Sequence, residues 1–99
     1  MSLINKEIKT NIIYEDKLCI VINDINPQAP IHILVIPKKN IKRLYNIESI
    51  KDKYILGHLI FIAKEQIKKY KNSDNSFRII INNGSLAGET IPHLHIHVM

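Results

Sequence analysis

An α+β fold, with a mostly antiparallel five-stranded sheet, one long helix and short helices, is predicted by three features of this sequence. Four runs rich in branched apolar residues, NIIYE, KLCIVIN, IHILVIP and FRIIIN, are punctuated by Asp, Asn, Pro and Gly, as strands are. One stretch, about Lys51 to Tyr70, repeats its apolar residues at helical spacing instead. The C-terminal PHLHIHVM alternates imidazole with aliphatic side chains, which is the period of a strand.

In chain order, SLINKEI (residues 2–8) is expected to form a short helix. NIIYE and KLCIVIN then make a hairpin across the polar pair Asp16-Lys17. NDINPQAP is a turn in which Pro27 and Pro30 fix the backbone and Asn23 and Asp24 can cap it. IHILVIP is apolar on both faces apart from His32, which marks a central strand ended by Pro37. Asn40 caps a short helix through Tyr45. The long helix buries Ile55, Leu59, Ile62, Ala63, Ile67 and Tyr70 and turns its lysines to solvent. His58 lies inside that helix, where a lone histidine is structural. FRIIIN is a fourth strand, NGSLAGET a loop with two glycines, and PHLHIHVM the fifth strand, entered at Pro92.

Residues 1–99 read as a single domain, with no repeat, linker or low-complexity segment. A chain of this size buries roughly two thirds of its unfolded surface and needs no covalent staple. At 45% hydrophobic and 23% charged residues it is not a disordered tail. Its one cysteine, Cys19, has no partner and lies in the apolar run LCIVI, so a buried thiol in a reducing compartment is expected. No run approaches the roughly 18 apolar residues of a membrane span, and the first ten residues lack the pattern of a signal peptide. The expected location is cytoplasmic, with no membrane partner. Fourteen Lys and Arg against nine Asp and Glu give a net charge of +5, densest in KKNIKR. No aromatic residues interleave with that run to stack on bases, so a dedicated nucleic-acid surface is not expected.

On a strand, His93, His95 and His97 share one face, and Leu94, Ile96 and Val98 pack on the core. Neighbouring histidines then stand about 7 Å apart at their backbones and the outer two about 13 Å. Two such rings could bind one zinc ion, but a third ligand at about 2 Å, such as His32, would have to come from elsewhere. A purification tag would be an unbroken histidine run. Imidazole, with an ordinary pKa of about 6.5, can instead act as nucleophile, acid and hydrogen-bond donor near neutral pH. A nucleophilic histidine suits phosphorus, through a covalent phosphoryl or nucleotidyl intermediate. Just upstream, NNGSLAGET offers backbone N–H groups around Gly84 and Gly88, with Asn82 and Thr90 as donors, to hold phosphate oxygens.

HLHIHVM resembles the His-φ-His-φ-His-φ-φ signature of the histidine triad, or HIT, superfamily, where φ is apolar. DINPQAPIHILVIPKK and FRIIINNGSLAGE resemble the matching blocks of its Hint-like branch, so the resemblance covers nearly the whole chain. It implies a homodimer built through the long helix and a strand into a continuous sheet. It also implies hydrolysis of nucleoside phosphoramidates or related purine nucleotidyl conjugates, with no metal and no organic cofactor. His95 matches the nucleophile, His97 the residue that contacts phosphate and assists the leaving group, and His93 and His32 the residues that orient the site. Asn82, Gly88 and Thr90 match phosphate-binding positions. Asp24 matches the carboxylate that accepts the ribose hydroxyls, and Ile22, Ile25 and Leu34 match apolar positions around the base. For Ile22 and Leu34 an ordinary core role competes with this one, and for Asp24 a turn cap does.

Three departures from the family pattern bear on specificity. Glu89 stands where a glutamine is usual, and a carboxylate there repels anions unless it turns to solvent. Relatives continue past the triad, whereas this sequence reaches Met99; an altered leaving-group preference, or a longer parent protein, is expected. The N-terminus also starts later, without an aromatic residue often found near the base, so base selectivity is expected to be loose. Two rival readings remain: a Fhit-type hydrolase of dinucleoside polyphosphates, and a nucleotide-binding HIT protein with little turnover.

Overall fold

The β1–β2 hairpin is closed by one aspartate. In the computed structural model, which describes residues 12–24, 27, 29–70, 76–84 and 93–99, β1 (Ile12–Glu15) and β2 (Cys19–Asn23) pair antiparallel. Between them Asp16 Oδ1 accepts the backbone N–H of Leu18 at 2.8 Å and of Cys19 at 2.9 Å, and the Asp16 N–H donates to the Cys19 carbonyl at 3.0 Å. A short acidic side chain that satisfies its own turn is what favours Asp at this position. Its other oxygen accepts the Tyr14 hydroxyl at 2.8 Å and lies 2.7 Å from His58 Nε2. Burial alone would raise the Asp16 pKa, but these partners, His58 foremost, hold the carboxyl well below the usual carboxylate range. His58 is therefore a pin between helix and hairpin, in keeping with a structural role.

β2 pairs antiparallel with β3 (Ile33–Pro37), from Cys19 opposite Pro37 to Asn23 opposite Ile33. The sheet order is β1-β2-β3-β5-β4, so β3 is the central strand. Every pairing among the described residues is antiparallel. The expected helix from Asn40 to Tyr45 does not form; one 3₁₀ turn, Leu44–Asn46, stands there instead. Ile41 is the cause. Its side chain is buried in the core and its carbonyl accepts the Leu94 N–H at 2.7 Å, which keeps residues 40–43 out of a helix.

Helix α1 (Ile50–Ile67) begins where the Ser49 hydroxyl accepts the Asp52 N–H at 3.0 Å. It ends three residues before the expected Tyr70, and its last residues unwind through a turn. Ile55, Leu59, Ile62, Ala63 and Ile67 face the sheet as their spacing predicts. Gln66 joins them at 3 % exposure. The hydrophobic pattern could not announce that residue. Among the described residues no buried side-chain nitrogen or oxygen lacks a hydrogen-bond partner, so the amide is accommodated without penalty.

The fourth strand is shorter than FRIIIN: β4 is Ile79–Ile80, lengthened only by the reciprocal Arg78–Met99 backbone bonds. Beyond it Asn83 Oδ1 accepts the Tyr45 N–H at 2.8 Å, a bond made away from the sheet, to the 3₁₀ turn. β5 (Ile96–Val98) lies between β3 and β4, with His97 opposite both Leu34 and Ile80. The helix packs on β3 and β5. One face of the sheet supplies the main core, Cys19, Val21, Ile33, Val35, Leu94, Ile96 and Val98 against α1. The other carries Ile20, Ile22 and Ile36 with Leu34 beside them. Cys19 is buried, and burial pushes its thiol pKa up to about 12. No helix of the described residues is long and apolar enough to cross a membrane. Residues 2–8, expected to be helical, lie outside the described residues.

Two stability predictions follow from this packing. Leu59→Ala removes a fully buried side chain and should cost about 2–5 kcal/mol in chemical denaturation. Asp16 has a folded pKa below its unfolded one, so its contribution is complete above the unfolded carboxylate range and is lost as pH falls below it. Asp16→Asn should therefore lower the urea midpoint at pH 7 and flatten its decline between pH 6 and 3.

Candidate active site

Strand alternation places the three triad histidines on the face opposite the helix, because Leu94, Ile96 and Val98 are committed to the main core. His93 and His95 are buried, and His97 is partly exposed. His32 precedes β3 on the same face. Its carbonyl accepts the Asp24 N–H at 2.9 Å, which ties the two ends of the β2–β3 connection together. The Asp24 carboxylate consequently stands 3.1 Å from His32 Nε2.

Each ring has a defined neighbour. His93 Nε2 donates to the Pro37 carbonyl at 3.1 Å, fastening the approach to β5 onto the end of β3. His95 Nδ1 donates to the carbonyl of His93 at 2.7 Å. A carbonyl can only accept, so Nδ1 must hold the proton, and in the neutral ring Nε2 keeps a bare lone pair. His97 Nδ1 lies 2.9 Å from His32 Nε2 and 3.8 Å from Asp24 Oδ2. With a carboxylate at 3.1 Å, the favoured proton position is His32 Nε2, where the bond to Asp24 is charge-assisted. His97 Nδ1 then accepts from His32, and the His97 proton resides on Nε2.

The rings of His95 and His97 meet edge to face with centroids 5.0 Å apart, and those of His32 and His97 are tilted at 5.2 Å. Burial lowers the His97 pKa, the neighbouring His95 and His32 lower it further, and Asp24 partly opposes them. His97 is therefore neutral at pH 7, a ring that can give or take a proton but carries no charge at rest.

Other residues singled out in the sequence fall as follows. Asn82 lies just beyond β4 and is partly buried. Ile22 and Leu34 are paired across β2 and β3 and belong to the apolar cluster on the histidine face. Ile25, Gly88, Glu89 and Thr90 lie outside the described residues. The Pro37 and His93 carbonyls are site components with no side-chain signal; only the strand pairing brings them there. Among the described residues, two sets of side chains gather metal-ligating atoms within 4.8 Å of one another: Asp24, His32 and His97, and Asp16, Cys19 and His58. In the second, the thiol is held protonated by burial and both Asp16 oxygens are already hydrogen-bonded.

The model of the HIT domain family matches residues 5–99. An uncharacterised HIT-like protein of Synechocystis is 44% identical over 97 residues, which span 98% of this chain and 83% of that one. Among solved structures, a HIT family hydrolase from Legionella pneumophila superposes with a TM-score of 0.84 at 31% identity, covering 90% of this chain and 79% of that one. A histidine triad protein from Clostridium difficile gives 0.82 at 37% identity, covering 90% and 76%. The row of imidazoles on the face of an antiparallel sheet opposite the helix, the match to the family model and these relatives agree: the chain belongs to the HIT family.

Proposed function

We propose that this protein is a Hint-like nucleotidyl hydrolase that cleaves the P–N bond of purine nucleoside phosphoramidates through a covalent intermediate on His95. The single observation that carries this reading is the bond from His95 Nδ1 to the His93 carbonyl, which leaves Nε2 as a nucleophile with its lone pair available. His95 is buried to 9 % exposure beside the half-open His97, a setting in which water competes poorly with substrate.

In the proposed reaction His95 Nε2 attacks the α-phosphorus and forms an N–P bond. The bond from phosphorus to the amine breaks, and the amine leaves with a proton drawn from solvent while the His97 Nε2–H hydrogen-bonds to the leaving nitrogen. Water then attacks the nucleotidyl-histidine, returns a proton to solvent and releases AMP with His95 restored. His32 holds His97 in the tautomer this requires, and His93 fixes the strand that carries both. Asn82, Gly88 and Thr90 would bind the phosphate oxygens, Asp24 the ribose hydroxyls, and Ile22, Ile25 and Leu34 the base. No metal or organic cofactor is needed for these steps.

A homodimer belongs to the same proposal. Ile50, Tyr54 and Phe61 are 83 %, 69 % and 54 % exposed, and with Gly57 they lie at i, i+4, i+11 and i+7 on one side of α1. An added Cβ at Gly57 would meet nothing within 4 Å. The open edge of β4 is the sheet edge nearer β5, on which the helix packs. A second copy could cover stripe and edge together.

His95→Ala should abolish AMP release from adenosine phosphoramidate, by at least about 10³-fold, without altering the circular dichroism spectrum. Mass spectrometry of protein quenched during turnover should find one AMP on the wild type; an unmodified chain, or unchanged turnover in the variant, refutes the mechanism. Faster cleavage of a dinucleoside polyphosphate than of the phosphoramidate would refute the substrate class. The acid limb of kcat/KM should lie below pH 6.5, the ordinary imidazole value, because His97 must be neutral. Asp24→Asn removes the one group that opposes this shift and should move the His97 titration, followed by NMR, further to acid. Sedimentation equilibrium should show a dimer, converted to monomer by Tyr54→Glu with Phe61→Glu.

A further inference from the structure

The basic run KKNIKR divides where it meets the sheet. Lys39 turns to the helix side and pairs at 2.5 Å with Asp52 in the first turn of α1. Lys38 turns the other way. It lies two residues beyond Ile36, a member of the apolar cluster on the histidine face, and its Nζ pairs at 2.6 Å with Glu15, which stands opposite Ile20 of the same cluster. The Lys38 backbone N–H donates to the Leu18 carbonyl at 2.8 Å, so the β2–β3 ladder extends to this residue and fixes where its side chain starts.

Along β3 the histidine face has two ends. Asp24, His32, Ile22 and Leu34, the nucleoside side of the proposed site, lie at the end where Asn23, Ile33 and Val98 are neighbours. From there the register Leu34–His97, Val35–Ile96 runs on toward Ile36 beside His95, and the His93 ring bonds the Pro37 carbonyl. Lys38 is therefore two residues, roughly 7 Å of strand, past the position of the proposed nucleophile and on the side away from the nucleoside. A lysine side chain reaches over most of that distance. With the nucleoside filling one direction, a leaving group that extends along the sheet runs toward Lys38.

Taking the proposed hydrolase as the basis, we infer that Lys38 is a specificity-determining residue: its ammonium receives a carboxylate borne by the leaving amine, which favours phosphoramidates of amino acids over those of uncharged amines. The Lys38 and Glu15 side chains are 36% and 50% exposed. A pair so open to water adds little to stability, so Lys38 exchanges Glu15 for a substrate carboxylate at small cost. Glu15 has two effects. It keeps the ammonium on the histidine face while the site is empty, and it competes with the incoming anion. A lysine suits the task, because a compact charge on a flexible stem follows carboxylates at different distances from phosphorus, whereas the planar arginine fork demands one geometry.

The test compares kcat/KM of the full chain on the adenosine phosphoramidates of glycine and of glycinamide, which match in size and differ by one charge. Lys38→Met should lower the glycine-to-glycinamide ratio by roughly fivefold, the effect of a half-exposed charge pair. The two leaving amines differ in basicity, and that difference cancels when the same ratio is compared between two proteins. Lys38→Arg should restore part of the ratio, and Glu15→Gln, which removes the competing anion, should raise it above that of the wild type. In the unaltered chain the ratio should fall with added salt, a readout that needs no variant to fold. A ratio that ignores Lys38→Met, or that ignores salt, overturns the assignment. Calorimetry keeps this result apart from the hydrolase itself. A chain that releases AMP from neither conjugate refutes the proposed hydrolase. If such a chain still binds the glycine conjugate more tightly, and loses that preference with Lys38→Met, the subsite stands; equal affinities for the two conjugates overturn it.

Discussion

Everything at the site depends on the alternation of β5. Leu94, Ile96 and Val98 are almost wholly withdrawn from solvent, and a strand has only two faces, so the imidazoles between them have one place to go. A slip of one residue in the pairing with β3 would drive the histidines into an aliphatic core and expose the aliphatic residues to water. The cost of burying three imidazoles without partners would be comparable with the whole marginal stability of a domain this size. The hydrophobic core therefore does more than stabilise the sheet: it sets the register that makes the row of rings.

Given the row, differentiation among chemically identical side chains comes from their acceptors. His93 and His95 each meet a carbonyl, which fixes one proton per ring and leaves no ambiguity. His97 meets another imidazole that is itself backed by Asp24, an arrangement in which a proton can be passed without creating a charge. Burial and the neighbouring rings keep His97 neutral. One residue type thus takes several roles because the backbone and a single carboxylate supply different fields at each position.

Much of this was legible in the sequence because the signals were local and periodic. The hairpin across Asp16, the central position of IHILVIP, and the helix ridge of Ile55, Leu59, Ile62 and Ile67 each follow from a period or a turn chemistry within a few residues. The errors have a common cause in tertiary contacts. Asn40 looked like a cap until Ile41 was drawn into the core, and FRIIIN stops pairing where Asn83 bonds the 3₁₀ turn. The buried amide of Gln66 and the carbonyls of Pro37 and His93 carry no pattern at all, because their importance comes from partners far away in the chain. His32 was foreseeable as a neighbour of the triad, but its bond to His97, 65 residues distant, was not.

The irregular register of β1, shifted between Ile12 and Tyr14, gives the sheet unequal borders. Such a break twists the strand and spoils it as a template, whereas β4 at the far side keeps its regular pairing with β5. Two good borders would let copies add head to tail into a fibre; with one of them blunted, any growth through strand addition must be self-complementary and must terminate. Among the described residues, the end of the sheet remote from β5 is the poorer template for strand addition.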